Sequence, residues 1–439
     1  MELTVRHGAV VQPRCEVPVF AEVDVLVVGG GPAGWSAATA AARRGAGTML
    51  VEQYGFLGGM MTAGGVGCLC GPYTCAPGST EKQIVFGLCG EFMRRLEAAD
   101  AGFKYRHRFQ VDHHRAKVVL DELIVEAGVR PLYHTMCVDA LIDGGAIRGV
   151  MIENKAGRQA VLAQVVIDAT GDGDVAARAG VPYHKGDDDG LLQGPTYIFD
   201  MAGVDVERAM AVPLADLRAL MEDATRSGAW SLPRVSGSYS PLPQPGTVHV
   251  NMTRVYRVDA TDPESLTRAD IEGRRLAVLY AEFLRARVPG FEHAYLAGLA
   301  PQIGIRETRR IIGDYVLTGD DVLSARKFDD AVCNAAWPIE LHDPAGPDTR
   351  RVHLRGDEYY QIPYRCLVPL RVEQLLVAGR CLSSTREGNG SARVMAYAMA
   401  MGEAAGAAAV MALSAGCSVR EVDARALRAE LERAGVVLA

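Results

Sequence analysis

At 439 residues the chain has room for two domain-sized cores, or for one cofactor domain interrupted by a second. Hydrophobic residues make up 49% and charged residues 23%, an ordinary globular balance, and the 48 glycines point to tight turns and close backbone approaches instead of disorder. A net charge of −7 with no basic block or stripe removes electrostatic support for nucleic-acid binding.

The first residues, MELTVRHGAVVQPRCE, lack the charged start and apolar run of a secretory signal. Asp24–Val28 (DVLVV) then reads as a strand buried on both faces. From Pro32 to Arg44 the pattern turns helical and rich in small residues, with Gly45 as the stop. Thr48–Val51 is a second strand ending at Glu52, so strand, glycine turn, helix and strand make a βαβ unit.

A helix is predicted at Ala116–Ala127 and a strand at Leu132–Cys137. A hairpin follows, Ala140–Ile142 and Arg148–Glu153, turning through Asp143–Gly144–Gly145. Val165–Asp168 is another buried strand and runs into Ala169-Thr170-Gly171. From about 186 to 345 prolines cluster and strand-like pieces (Pro195–Met201, Thr247–Asn251) alternate with helices, the longest over Arg268–Arg287.

Nucleotide-fold texture returns at Leu375–Ala378, followed by Gly379 and an Ala/Gly-rich helix from Ser391 to Leu413. That helix is interrupted by Arg393 and Glu403, which reads as an internal helix and not a membrane span. A capped tail helix ends the chain.

The expected architecture is therefore α/β. A Rossmann-like nucleotide domain (parallel sheet with helices) spans 20–185 and 346–415, a mixed α/β substrate domain is inserted at 186–345, and a helical tail covers 416–439.

The chemistry starts at Gly29-Gly30-Gly31-Pro32-Ala33-Gly34, a G-x-G-x-x-G set between strand and helix. Gly29 permits the turn, Gly31 lets backbone approach a pyrophosphate, and Gly34 allows close helix–strand packing. The free N–H groups and helix dipole at Pro32–Ala33 attract phosphate charge, and Pro32 suits the first helical turn. Glu52, about twenty residues on, stands where an acid accepts hydrogen bonds from a ribose, and it disfavours a 2′-phosphate.

NAD and FAD both match this fingerprint. FAD is favoured by Leu57-Gly58-Gly59, a second flexible stretch suited to an extended cofactor, by Ala169-Thr170-Gly171, and by the returning Gly379-Arg380 and Ser391–Val394 segment. A helix end and a cation (Arg393) suit a flavin ring whose reduced form carries negative charge.

DVLVVGGGPAG, VEQYGFLGGMMT, VVIDATGDGDVAARAG, GIRETRRIIGDYVLTGDDVL and LLVAGRCLSSTREGNGSARVMAYAMAMGEAAG together resemble the FAD-dependent oxidoreductases of the glutathione-reductase and fumarate-reductase type. The resemblance implies bound FAD, an inserted substrate domain and redox chemistry at the flavin. Carried over, Gly29, Gly31 and Gly34 would meet the pyrophosphate, and Glu52, beside Gln53, the adenosine ribose. Leu57, Gly58, Gly59, Met60 and Met61 would follow the ribityl chain, and Cys137 or Val138 would lie at the adenine. Ala169–Gly171 would flank the nucleotide, and Gly379, Arg380, Ser391, Ala392, Arg393 and Val394 the flavin end. Flavoproteins with a redox disulfide carry two cysteines directly after the Gly-Gly pair; here Met60–Gly65 stand there, which counts against disulfide-reductase chemistry.

Cys68, Cys70 and Cys75 follow shortly. Their C-x-C-x₄-C spacing is not that of a zinc site, and structural packing is the favoured reading, with dithiol redox duty as the alternative. No metal is expected. In GIRETRR, Arg306 would reach the flavin or an anionic substrate, with ion pairing as the plain alternative. Arg386 is similarly placed, and His342 is a candidate proton acceptor. Asp172 and Asp174 would cap the helix after them, with metal ligation as the alternative, and His113–His114 would cap or solvate the one at Ala116.

The expected function is oxidation (dehydrogenation) of a small organic metabolite by FAD. The alternatives are NAD(P)H-driven flavin reduction or monooxygenation, although no second dinucleotide motif is present, and a binding partner whose FAD is structural. A small-molecule substrate is expected, with no nucleic acid and no membrane, and a homodimer is left open. Ten cysteines without framework spacing point to reduced thiols and the cytoplasm.

Overall fold

The long strand Gly157–Asp168 divides its pairing between two neighbours, and that division organises the molecule. Its first half runs antiparallel to Ala146–Asn154 (Asn154 opposite Gly157, Gly149 opposite Leu162), while its second half runs parallel to Leu375–Val377 (Val166 opposite Leu375). On its other edge it pairs in parallel with Val19–Val28. Continuing outward come Thr48–Val51 and Arg130–Leu132, both parallel, so the seven-stranded sheet has a parallel side and an antiparallel flap ending at Met136–Asp143. The chain thus leaves this sheet after Asp168 and returns to it at Leu375.

The computed structural model describes residues 16–438, preceded by the paired short strands Val5–Arg6 and Ala9–Val10. The N-terminal segment weighed as a leader otherwise lies outside the described residues.

The fold is the expected α/β class with a Rossmann-like arrangement, and most elements match their predicted spans. Several boundaries moved for local reasons. The first strand begins at Val19 because its outer half pairs with Ala160–Ala163. The predicted strand Leu132–Cys137 is two strands, Arg130–Leu132 and Met136–Asp143, which separate at His134, a residue with φ of 53°. The long helix of the insert starts at Pro263, where Asp262 caps it by accepting from Ser265 N–H.

The predicted helix Ser391–Leu413 is broken. A short helix, Arg386–Ala392, ends at Arg393, and a new one, Met395–Ala415, begins after Val394.

Helix Met395–Ala415 packs along Pro32–Arg43, and small residues decide how closely. A Cβ on Gly402 would stand 2.0 Å from Ala33 O, and one on Gly406 2.2 Å from Ala37 O. Ser36 Oγ donates to Met399 O at 2.7 Å across the contact. Among the described residues this is the one helix long and apolar enough to cross a membrane, and most of it is buried inside the protein. Its apolarity is that of a core element.

Two cores meet over the site. One joins the sheet to Met395–Ala415; the other, in the insert, draws on Tyr197–Ile305. Leu317–Ile339, within the span expected for the insert, pack into the first core.

Candidate functional site

A cavity of about 860 Å³ runs from the C-terminal ends of the parallel strands to the underside of the insert. This is the crevice where open α/β sheets bind ligands.

At the sheet end the glycine turn has distinct duties. Gly29 takes φ of +96°, and a Cβ there would strike Ala169 O at 2.5 Å. A Cβ on Gly34 would lie 1.7 Å from Gly29 O, so Gly34 seals helix against strand and does not line the cavity. Gly31 differs: its nearest neighbour would be Gly59 Cα at 3.8 Å, which leaves open space beside the first turn of Pro32–Arg43. Gly59 in turn has φ of +52° and presses its backbone on Gly31, so the two glycine segments converge at one point.

Glu52 is buried and lines the cavity; its Oε2 accepts from Gly30 N–H at 2.5 Å and its Oε1 from Tyr54 N–H at 2.9 Å. Burial pushes its carboxyl up, against those backbone bonds. An open glycine face at a helix N-terminus, an acid at the next strand end and an elongated crevice fit a dinucleotide.

The wall carries Gly29, Gly31, Pro32, Ala33, Glu52, Gln53, Gly59, Met60, Cys137, Ala169, Thr170, Gly171, Gly379, Arg380, Arg393 and Val394 of the expected cofactor residues. Leu57, Gly58, Met61 and Val138 do not reach it. Leu57 and Met61 are core residues, and Gly58 (φ +108°) packs on Thr62. Ser391 and Ala392 correct the expectation most clearly. They lie in the short helix before the break and are fully buried, with Ser391 hydrogen-bonded to Trp337 O (2.5 Å) and Tyr360 Oη (2.7 Å). Arg393 and Val394, at the break, are the residues that face the cavity.

Arg386 also stands apart, paired with Asp187 at 3.2 Å and Glu307 at 3.5 Å. Arg380 faces the cavity but is engaged by Asp172 at 2.6 Å. Asp172 and Asp174 hold Arg380 and Arg309 and do not cap the helix; Asp168 caps it from below, accepting from Ala176 N–H at 2.8 Å. Likewise Asp112, not the histidines, caps Arg115–Glu126 through His114 N–H at 2.8 Å.

GIRETRR divides between both readings. Arg309 and Arg310 join ion pairs, with Asp174 and Glu307 respectively, while Arg306 enters the cavity and donates to Gly194 O at 2.9 Å.

Beneath the insert the cavity becomes cationic. Arg108, Arg234, Arg306, Arg351 and Arg393 line it, with Glu340 among them. Arg234 is buried, and its Nη1 has no hydrogen-bond partner; neither has Nε of Arg108 or of Arg393. Burial and the neighbouring Arg254 push the Arg234 guanidinium down to about 10. Burial alone would raise Glu340, but Arg351, at 2.6 Å, and Arg393 outweigh it and hold the carboxyl at about 2.

His342 is buried, and its Nδ1 lies 2.5 Å from Arg254 Nη2. Burial and the surrounding arginines hold it neutral, well below the usual histidine range. A guanidinium only donates, so Nδ1 accepts and the ring proton sits on Nε2, 3.5 Å from Glu340 Oε1. His342 is therefore arranged as a donor and not as the proton acceptor expected from the sequence.

Arg108, Arg234, Arg351 and Glu340 carried no motif. They come from a short strand, a Pro/Ser loop and a hairpin, and only tertiary structure assembles them.

Cys68, Cys70 and Cys75 all line the cavity. For a metal, His113, His114 and Asp200 offer ligand atoms within 4.8 Å of one another, and His113 Nε2 is already bonded to Asp200 Oδ2 at 3.0 Å.

Comparison with known proteins gives one family match over nearly the whole chain: the model described as FAD dependent oxidoreductase covers residues 24–431. Among curated proteins, a thiamine thiazole synthase of Methanococcus aeolicus is 31% identical over 39% of this chain and 62% of its own length. A tRNA uridine 5-carboxymethylaminomethyl modification enzyme of Wolinella succinogenes is 32% identical over 33% of this chain and 24% of its own length. The matches thus span about three fifths and a quarter of those relatives. Among solved structures, a geranylgeranyl bacteriochlorophyll reductase-like protein of Thermoplasma acidophilum aligns with TM-score 0.46 at 14% identity, over 94% of this chain and 84% of the other. A p-nitrophenol 4-monooxygenase of Pseudomonas putida aligns with TM-score 0.47 at 12% identity, over 91% and 82%.

Proposed function

The chain belongs to the FAD dependent oxidoreductase family, an enzyme family with FAD as its cofactor, and from that premise we propose that it dehydrogenates a small metabolite bearing a carboxylate. When bound, FAD supplies a hydride acceptor at the cavity.

The observation that carries this reading is the unmatched positive charge beneath the insert. Arg108, Arg234, Arg306 and Arg393 face the cavity with Glu340 set among them, and Arg234 Nη1 lacks a partner. Buried cations are costly unless paired, and an incoming carboxylate supplies the missing acceptors.

Arg234 and Arg306 are the residues to grip it. Each presents a planar fork that matches a carboxylate in two bonds. Arg234 is fixed for the purpose: Tyr280 Oη accepts from its N–H at 3.1 Å and donates to its carbonyl at 2.6 Å. Glu340, held charged, anchors Arg351 and balances Arg393. His342, with its proton on Nε2 and its Nδ1 occupied by Arg254, offers a hydrogen bond and does not serve as a proton acceptor. The reading also has the enzyme act on small molecules in the cytoplasm, since scattered cysteines without framework spacing suit a reducing compartment.

The test is anaerobic mixing of the FAD-loaded enzyme with hydroxy acids, amino acids, and their amides or esters. A carboxylate-bearing donor is expected to bleach the flavin at least ~100-fold faster than its neutral derivative, the worth of one or two charged hydrogen bonds. Equal rates for acid and amide, or bleaching by nicotinamide donors alone, would defeat the proposal.

A further inference from the structure

We propose that Cys68 and Cys70 are a redox-active pair that cycles between dithiol and disulfide at the inner end of the cavity. The inference needs bound FAD but not the carboxylate reading, so each can fail without the other.

Alternate residues of a strand leave the same face, and the strand Cys68–Cys70 brings its two Sγ atoms to 4.0 Å on the cavity side. The next residue, Gly71, shows what the end of the strand packs against. A Cβ there would stand 2.8 Å from Val394 Cγ2 and 3.0 Å from the Tyr397 ring, so the strand end abuts the first turn of Met395–Ala415. That helix end is where Arg393 and Val394 enter the cavity.

Each thiol has its own chemical neighbour. Arg108 is paired in register opposite Cys70 on the same face, and its buried Nε has no partner. His249 packs on Gly67, next to Cys68, and its buried Nε2 is also without a partner. Ser240 Oγ lies 2.8 Å from His249 Nδ1 and 3.4 Å from Gln110 Oε1, so the hydroxyl can donate to Gln110 while accepting from His249 Nδ1–H. In that arrangement Nε2 is the basic nitrogen, and His249 is one of the groups that act on the Cys68 thiol. A nucleophile, its base and a group that orients the base make the arrangement of an activated cysteine.

The hydrogen bond with Cys70 holds the Cys68 thiol well below its ordinary value, with His249 and Arg108 adding to it against burial. Cys75 stands outside the pair: its thiol donates to Ala336 O at 3.4 Å, and burial pushes it up to about 12.

As the S–S bond forms, the Cys68 thiolate and the Cys70 thiol give up two electrons and one proton, and both electrons and the proton pass to oxidised FAD. The reverse step regenerates the dithiol. Exchange of this kind begins from the thiolate, so Cys68 is the attacking sulfur and Cys70 the resolving one.

The test uses the full-length, FAD-loaded protein held in air. Free thiols are blocked with N-ethylmaleimide in denaturant, the sample is reduced, new thiols receive a second label, and the peptides are mapped by mass. The second label is expected on Cys68 and Cys70. Anaerobic dithionite titration is expected to consume four electrons per FAD in the wild type and two in Cys68→Ser. His249→Asn, a change at a positioning residue, is expected to slow alkylation of Cys68 in the reduced protein at least ~10-fold at neutral pH and to move its pH profile upward. First label on both cysteines with two electrons consumed, or a disulfide joining either of them to Cys75, overturns the proposal. The wild-type mapping decides this even where a variant fails to fold.

Discussion

Arg254 Nη2 lies 2.5 Å from His342 Nδ1 in a pocket where both side chains are buried. The contact sets the tautomer, because the guanidinium has no acceptor and the ring must therefore accept. It also ties the insert to the hairpin that carries Glu340, since Arg254 Nη1 donates to Asp348 O at 3.0 Å.

A pH dependence follows from that pair. Burial lowers His342 well below its unfolded value of about 6.5, so the unfolded chain binds the proton more readily than the native one. The stability this neutral ring contributes is complete above about pH 6.5 and is lost as pH falls toward the lower folded value. His342→Asn keeps an acceptor for Arg254 and removes the titration. The stability advantage of wild type over His342→Asn, read from thermal melts, is expected to shrink between pH 7.5 and pH 5.

The two glycines of the nucleotide turn separate folding from binding. At Gly34 a methyl group would collide with Gly29 O at 1.7 Å, whereas at Gly31 it meets nothing closer than 3.8 Å. Gly34→Ala is expected to cost about 3 kcal/mol or more, as overpacking against backbone does, and to lower the melting temperature of the FAD-free protein. Gly31→Ala is expected to leave that melt within about 0.5 kcal/mol of wild type while weakening FAD at least ~10-fold, read by flavin fluorescence on titration.

That contrast marks where the sequence was legible. Gly29, Gly31, Gly34 and Glu52 carry local duties, a turn, a close approach and a strand end, and residue type with spacing displays such duties directly. The helix break at Arg393–Val394 has no proline or cap to announce it, so the helical pattern runs on unbroken through Ser391 and Ala392. The inner wall was hidden for another reason. Arg108, Arg234 and Glu340 are far apart in the chain and meet only where the insert folds over the sheet, and no periodicity records that meeting. Residue type singles out His342, but the direction in which it shares its proton depends on Arg254, which lies far away in the sequence.

Arg234 and Arg306 are expected to act on substrate and not on cofactor. Replacing either with Gln keeps much of the side-chain volume and removes the charge. Loss of one charge-assisted, bidentate contact is worth about 1.5–3 kcal/mol, so kcat/KM for a carboxylate donor should fall roughly 10- to 150-fold. FAD content should stay at wild-type levels, and activity toward the neutral amide should change little. Equal losses for acid and amide would assign these arginines to the scaffold.

Glu403 offers the clearest stability gain. It is a buried acid in the helix Met395–Ala415, where Oε2 accepts from Leu88 N–H at 2.8 Å and burial raises its carboxyl to about 7. The folded value lies above the unfolded one, so the stability linked to the protonated form is complete below about pH 4.3 and is lost as pH rises through about 7. At pH 8 the native state therefore holds a poorly solvated carboxylate. Glu403→Gln retains an oxygen for Leu88 N–H and removes the charge. It is expected to stabilise the protein at pH 8 by an amount on the order of 3–4 kcal/mol, the linkage value of a shift of this size. The gain should disappear by about pH 4.5, where the native acid is already neutral. Denaturant melts of both proteins at three pH values measure it, and a gain that stayed constant with pH would mean that packing, not ionisation, separates the two side chains.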